Sequence, residues 1–278
     1  MKKIIFRKFL TDCSIFFLIS LLAASVIIWV FQAVNYLDII IADNSSNMTH
    51  YNEILHFVKN NAFNNIDLYK MERNLSYFGA ARFIIDNKIA KEFRYEFIIV
   101  SNNDILVEDN NFVDKIFSNI RKADILAPKI ISLKNQTNQN PFQKSKINLK
   151  NKLFHIFYYS SFFVAQIIIL VRKLFINKNV GMNSDDKEMP IYAAHGSFLI
   201  FSNSFFDKGG YIDNKFFLYA EENTLAEIVL KIKGMILYVP DIVVYHESKG
   251  TIDKRLTKEK YLIQKKAHEY FNKNYGET

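Results

Sequence analysis

Apolar runs that stop abruptly at clusters of small polar residues, with helical spacing between them, constrain this chain more than any other feature. Leu37-Asp38-Ile39-Ile40-Ile41-Ala42 stops at Asp43-Asn44-Ser45-Ser46, and Phe97-Ile98-Ile99-Val100 stops at Ser101-Asn102-Asn103-Asp104. Such short runs, rich in β-branched residues, read as strands covered on both faces. Residues 51–58 carry helical spacing, 66–71 read as a strand, and 74–79 form a loop that opens a helix. Farther on, 192–201 are apolar, Gly209-Gly210 makes a turn, and Leu225, Ile228, Val229 and Ile232 recur at helical spacing up to Gly234. Residues 235–239 and 242–245 read as short strands interrupted by Pro240-Asp241, with His246 at the end of the second. Alternating strands and helices predict an α/β fold, a doubly wound and mainly parallel sheet with helices on both faces. Ligands bind such sheets beyond the carboxyl ends of the strands, so Asp43, Asn74 and Asp104 are expected along one edge.

With 278 residues, half of them hydrophobic, the chain can bury a substantial core, and 8 Gly and 4 Pro leave no evident linker. Three regions are expected: an apolar N-terminal segment over 1–36, a main domain over 37–250 with a basic and apolar insert at 144–178, and a basic C-terminal helix over 251–278. The formal charge of +8 suits an anionic membrane surface or a phosphorylated substrate, and the absence of a nucleic-acid motif argues against nucleic acid as a partner. A lone Cys13 excludes an intramolecular disulfide and a CxxC metal site, which points to a reducing compartment.

Two apolar stretches allow more than one reading. Residues 13–37 hold no charge, and 15–34 are long enough to cross a bilayer core of roughly 30 Å as a helix. Lys2, Lys3, Arg7 and Lys8 precede this stretch, so as a span it would leave the rest of the chain outside the cytoplasm. The alternative is a βαβ opening: a strand over 14–20, a helix over about 21–34 and a strand over 37–42, since buried parallel strands are equally hydropathic. The second stretch, 153–171, lies between Lys150 and Lys152 on one side and Arg172 and Lys173 on the other. Its His155, Tyr158, Tyr159, Ser160, Ser161 and Gln166 argue against a span. A helix of this kind suits a membrane interface, or else a core or dimer contact.

The run Phe216-Phe217-Leu218-Tyr219-Ala220-Glu221-Glu222 leads apolar residues directly into two adjacent carboxylates, downstream of His195-Gly196-Ser197. This is how a chain delivers an acid from a buried scaffold to a cleft wall, where burial tunes its pKa. Taken in order, five stretches resemble the bacterial family 2 glycosyltransferases, in particular rhamnosyltransferase-like members from surface-polysaccharide clusters. They are Ile39 to Ser46, Asn74 to Ala80, Val100 to Asp104, His195 to Phe201, and Gly209-Gly210-Tyr211 through to His246. The resemblance covers about residues 37–250 and implies a nucleotide-sugar-binding, GT-A-like fold. It also implies transfer of a sugar from a nucleotide diphosphate to an acceptor hydroxyl, with inversion and a divalent cation, Mn²⁺ or Mg²⁺.

On that resemblance Asp104 matches the metal-binding acidic motif, preceded by Asn103 where relatives often carry a second acid, and His246 matches a histidine that completes the metal site. Glu222 matches the base that deprotonates the acceptor, with Glu221 the alternative. Asp43 matches the contact to base or ribose, and Asn74 and Gly79 match the loop beneath the nucleotide. Arg82 is a candidate partner for the diphosphate, since a guanidinium fits phosphate oxygens in a bidentate way. His195, Gly196 and Ser197 are expected to line the sugar or acceptor pocket. The largest departure is at Ser20-Leu21-Leu22-Ala23-Ala24, where relatives end their first strand in a polar loop that grips the nucleotide. The implied function is a glycosyltransferase on the cytoplasmic face of the bacterial inner membrane, with a nucleotide-sugar donor, a lipid-linked or glycan acceptor and an anionic membrane surface as partners. The alternative is a membrane-associated, inactive homologue that binds without turnover.

Overall fold

The computed structural model describes residues 25–32, 37–60, 66–89, 95–146, 149–175, 187–216, 218–247 and 256–276. The described strands form one sheet in the order β3 (Ile66–Lys70), β2 (Leu37–Asp43), β1 (Ser25–Gln32), β4 (Tyr95–Asn102), β8 (Phe198–Ser202), β6 (Ile125–Ser132), β9 (Ile236–His246) and β5 (Ile105–Leu106). A further strand, β7 (Met189–Ile191), pairs on β9. Following the pairings across the sheet, β3, β2, β4, β6 and β9 run one way, while β1, β8, β5 and β7 run the other. The sheet is therefore mixed rather than mainly parallel.

Helices cover both faces, as alternation along the strands requires. Phe97 and Ile99 of β4 pack with Ile54 of α1 (Met48–Asn60) and with Phe112 and Ile116 of α3 (Phe112–Asn119). Ile98 and Val100 face the opposite core, built with Phe78 and Ile84 of α2 (Tyr77–Asn87), Leu225 and Val229 of α7 (Glu221–Lys231), Phe205 of α6 (Asn203–Asp207) and Ala267 of α8 (Lys258–Tyr275). All four of these β4 residues are fully buried, which accounts for the uninterrupted apolar run.

Several expectations are corrected. The helix over 21–34 is not formed at residues 25–32, and neither is a membrane span. Ser25–Gln32 is strand β1, inserted between β2 and β4 and antiparallel to both, so the βαβ opening is replaced by an antiparallel pair. Its Val26-Ile27-Ile28-Trp29-Val30-Phe31 is β-branched and aromatic, a composition that favours a central strand. The strand expected at 14–20 lies outside the described residues. Residues 153–171 are two helices, α4 (Leu149–Tyr158) and α5 (Phe162–Phe175), because Ser160 Oγ bonds back to the Phe157 carbonyl and Ser161 Oγ accepts from Val164 N at 3.2 Å, capping the second helix. Among the described residues no helix is long and apolar enough to cross a membrane.

The two short strands around Pro240-Asp241 are one continuous strand, β9. The interruption is a bulge, with the register on β6 shifting between Pro128 and Lys129, which accommodates a proline that has no N–H to give the ladder. At the end of α7 the left-handed residue is Lys233 (φ 55°), not Gly234. Gly234 is needed for close approach instead, since a Cβ there would stand 2.7 Å from Asp124 Oδ2.

Candidate active site

Because β2, β4, β6 and β9 point the same way, their last residues Asp43, Asn102, Ser132 and His246 share one edge of the sheet. His195-Gly196-Ser197 reaches that edge for the opposite reason, as the lead into the antiparallel strand β8. The Ser197 carbonyl accepts from Asn102 N at 2.8 Å, which joins the two segments. Short β5 then turns Asp104 toward β9: Ile105 pairs with His246, and Glu247 N donates to the Asp104 carbonyl at 3.0 Å.

Asp104 Oδ1 consequently lies 3.2 Å from His246 Nε2. That oxygen is buried and makes no hydrogen bond of proper geometry, while His246 Nδ1 is held 2.7 Å from Gln139 Oε1. An amide oxygen can only accept, so with this orientation the ring proton sits on Nδ1 and the Nε2 lone pair faces the carboxylate. Two donor atoms about 3 Å apart match neighbouring ligands on an ion bound at about 2.2 Å to each, and a histidine fixed by an outer acceptor is the usual form of a ligand. Carboxylate and imidazole together suit Mn²⁺. Among the described residues, however, no group of three or more His, Cys, Asp or Glu side chains could hold a metal ion, so a cation here would draw its other ligands from substrate or water. Asn103 occupies the turn between β4 and β5 and supplies no second carboxylate.

The two acids open α7. Glu222 is half-buried, and its Oε1 accepts from Gly196 N at 3.3 Å, which places it against the 195–197 loop. Glu221 is buried and its Oε2 turns back to accept from Ala220 N at 2.9 Å. Burial raises the pKa of Glu222, against the opposing pull of the backbone N–H groups. Burial, reinforced by the charge of Glu222, pushes Glu221 up to about 7. The helix N-terminus favours both anions, but here desolvation wins. A Cβ at Gly196 would stand 3.2 Å from Glu222 Oε1, so a larger residue would press on that carboxylate.

His195 is set by Asn140, whose Oδ1 accepts from His195 N at 2.7 Å and whose Nδ2 donates to the Pro128 carbonyl. Its Nδ1 lies 2.9 Å from Ser197 Oγ, and its ring meets that of His246 edge-on at 5.9 Å. Burial, and then the positive charge that His246 would carry if protonated, lower its pKa to about 4, with Asp104 opposing, so the ring is neutral at pH 7.

At the end of β2, Asn74 Oδ1 accepts from Asn44 Nδ2 and Ser76 N, and Gly79 N donates to Ser76 Oγ. These bonds pin the 74–79 loop to the end of β2. Asp43 is fully buried, with Oδ1 bonded to Ser46 Oγ and Oδ2 facing Lys70 Nζ at 3.7 Å. As folded it shapes the turn and is closed to solvent. Arg82 bonds Asp86 Oδ2 and the Ile212 carbonyl and stacks over Tyr211, so a diphosphate would compete with those partners. Ser45, Ser76 and Tyr219 all have φ between 69° and 79°, left-handed backbone at non-glycine residues around the same edge.

Sequence reasoning missed Tyr77, Gln139 and Asn140. The hydroxyl of Tyr77, the first residue of α2, is buried without a hydrogen-bond partner. Burial, then the charges of Glu222, Glu221 and Asp104, hold its pKa well above the ordinary value, which puts one phenol within the field of all three site acids. Its aromatic place after a polar loop was the available signal. Asn138-Gln139-Asn140 gave a weaker one, a polar triplet resembling any surface turn.

Fold and site together define an α/β protein with an acid-histidine pair and a raised carboxylate pair at one sheet edge. No family model matches the chain, and no curated protein matches it in sequence. Among solved structures it is similar to GalNAc-T7 with UDP, GalNAc and Mn²⁺ (14% identity, TM-score 0.47), covering 74% of this chain and 37% of that one. It is also similar to the mannosyltransferase PcManGT from Pyrobaculum calidifontis in complex with GDP-Man and Mn²⁺ (8% identity, TM-score 0.44), covering 82% of this chain and 60% of that one. The chain thus spans less than two thirds of either.

Proposed function

We propose that this chain is a glycosyltransferase that moves a sugar from a nucleotide-diphosphate donor to an acceptor hydroxyl with inversion. The observation that carries the reading is the convergence of Asp104, His246, Glu222 and Tyr77 at the edge where such a sheet binds ligands. Asp104 and His246 would hold a divalent cation, which when bound neutralises charge on the departing diphosphate. Glu222, set against Gly196, takes the proton of the acceptor hydroxyl as its oxygen attacks the anomeric carbon. Burial raises its pKa and so strengthens it as a base, while Glu221, turned back onto the helix start, is pushed up further by the charge of Glu222 and stays out of its way as the protonated neighbour. The Tyr77 hydroxyl has a proton to donate to bound substrate. A membrane-linked glycan as acceptor, the cytoplasmic face of the inner membrane as location and rhamnose as the donor sugar remain part of this proposal.

A binding protein without turnover is the second reading. It is favoured by β1, whose N-terminal rather than C-terminal end lies at the site edge, so β1 itself does not end in a nucleotide-gripping loop there. A panel of nucleotide sugars screened with and without Mn²⁺ separates the two. Metal-dependent release of nucleoside diphosphate, lost in Asp104→Asn, supports the transferase. Metal-dependent binding with no release across donors and acceptors supports the binding protein, and no binding at all rejects both.

A further inference from the structure

The α4 and α5 helices present an apolar surface to solvent. On α5, Phe163, Ile167, Leu170 and Val171 recur at i, i+4, i+7 and i+8 and are 45% to 69% exposed, and Phe157 on α4 is 66% exposed. A solvated helix turns only its polar side outward, whereas here the large aliphatic residues are exposed together with Ser160, Ser161 and Gln166, and the aromatic residues His155, Tyr159 and Phe162 face in. Tyr159 stacks on His268 of α8 at 4.5 Å, His155 does so at 5.3 Å, and Phe162 meets Tyr261 edge-on at 5.6 Å. The pair is thus anchored through one side and leaves an aliphatic stripe uncovered on the other. A contiguous patch of this kind marks a contact surface.

Charge identifies the kind of partner. Between Asp124 and Asp185 the sequence holds no acidic residue, while Lys150, Lys152, Arg172 and Lys173 bracket the apolar stretch; Lys146, farther off, is paired with Glu227. A second copy of the chain would bring the same cations against themselves. An anionic bilayer offers both an apolar interior and negative headgroups, and helices of this length, too short to span, lie in its interface.

We propose that the α4–α5 face docks on an anionic lipid bilayer, with Phe157, Phe163 and Leu170 in the boundary between headgroups and acyl chains. This inference does not depend on sugar transfer, and its test needs no turnover. The full chain is floated with vesicles of phosphatidylcholine alone and of phosphatidylcholine mixed with phosphatidylglycerol. We expect binding to the mixed vesicles, weakened by added salt, and reduced on the order of tenfold or more by F163E with L170E at unchanged melting temperature. Failure of the wild-type chain to bind mixed vesicles, or equal binding by the double variant, overturns the proposal. So does a wild-type dimer that ignores vesicles and that the double variant dissociates, which would make the face a contact between copies.

Discussion

Replacing Glu222 by Gln is the most direct test of the proposed chemistry. The amide keeps the shape of the side chain and an oxygen to accept from Gly196 N, a bond already long at 3.3 Å. The fold should lose no more than about 1 kcal/mol from a weakened hydrogen bond. It should recover part of that, because the charge of Glu222 is one of the causes holding the Glu221 pKa high. The chemistry is affected far more. Loss of a positioned general base costs about 10²- to 10⁴-fold, or roughly 3 to 5 kcal/mol in the transition state. Donor affinity should change little, since Asp104 and His246 are untouched. The assay is release of nucleoside diphosphate in the presence of Mn²⁺ and acceptor, with kcat and KM separated. A folded Glu222→Gln protein with kcat within about threefold of wild type would falsify the assignment. The same loss appearing in Glu221→Gln instead would transfer the role to its neighbour. On the proposed mechanism, kcat/KM of the wild-type chain should rise with pH through the raised pKa of Glu222, because only the ionised form accepts a proton.

Other consequences can be measured independently. Glu221 has a folded pKa of about 7 against an ordinary 4.5, so its ionisation opposes folding. Stability from this group is intact below the lower value and declines as pH rises to the upper one, by roughly 3 kcal/mol in all. Glu221→Gln should therefore raise the melting temperature at about pH 8 and scarcely at about pH 4; equal effects at both would contradict the shift. Gln139→Leu removes the acceptor that orients His246 Nδ1 and should weaken Mn²⁺ binding about 10- to 100-fold, read by isothermal titration in the presence of donor nucleotide. Unchanged affinity would remove His246 from the proposed metal site. Tyr77→Phe deletes a buried hydroxyl that has no partner, so thermal stability should hold or rise by about 1 kcal/mol. Donor binding should weaken at the same time, and a variant that is more stable with undiminished affinity would make Tyr77 a packing residue.

Much of the candidate site's framework was legible because it is local. A strand that stops at Asn102-Asn103-Asp104 and a helix that starts at Glu221-Glu222 are set by the side chains of those segments, through turn chemistry and the onset of helical spacing. The periodicity of α7, the burial of β4 and the strand ending at His246 follow from the same short-range rules. Hydropathy carries no direction, however. The apolar run Ser25–Gln32 satisfies a central strand pointing either way, and only its pairing with both β2 and β4 fixed it antiparallel, which reverses the end it brings to the site. The amphipathic stretch 153–171 likewise left its partner open until packing on Tyr261 and His268 showed which side faces outward. By itself the sequence determined which carboxylates stand at element ends. The tertiary structure alone decided that Asp104 meets His246, that Gln139 orients that ring, and that Glu222 rather than Glu221 faces Gly196. Each of these is a distance between segments remote in the chain, set by sheet order and by the burial that drives it.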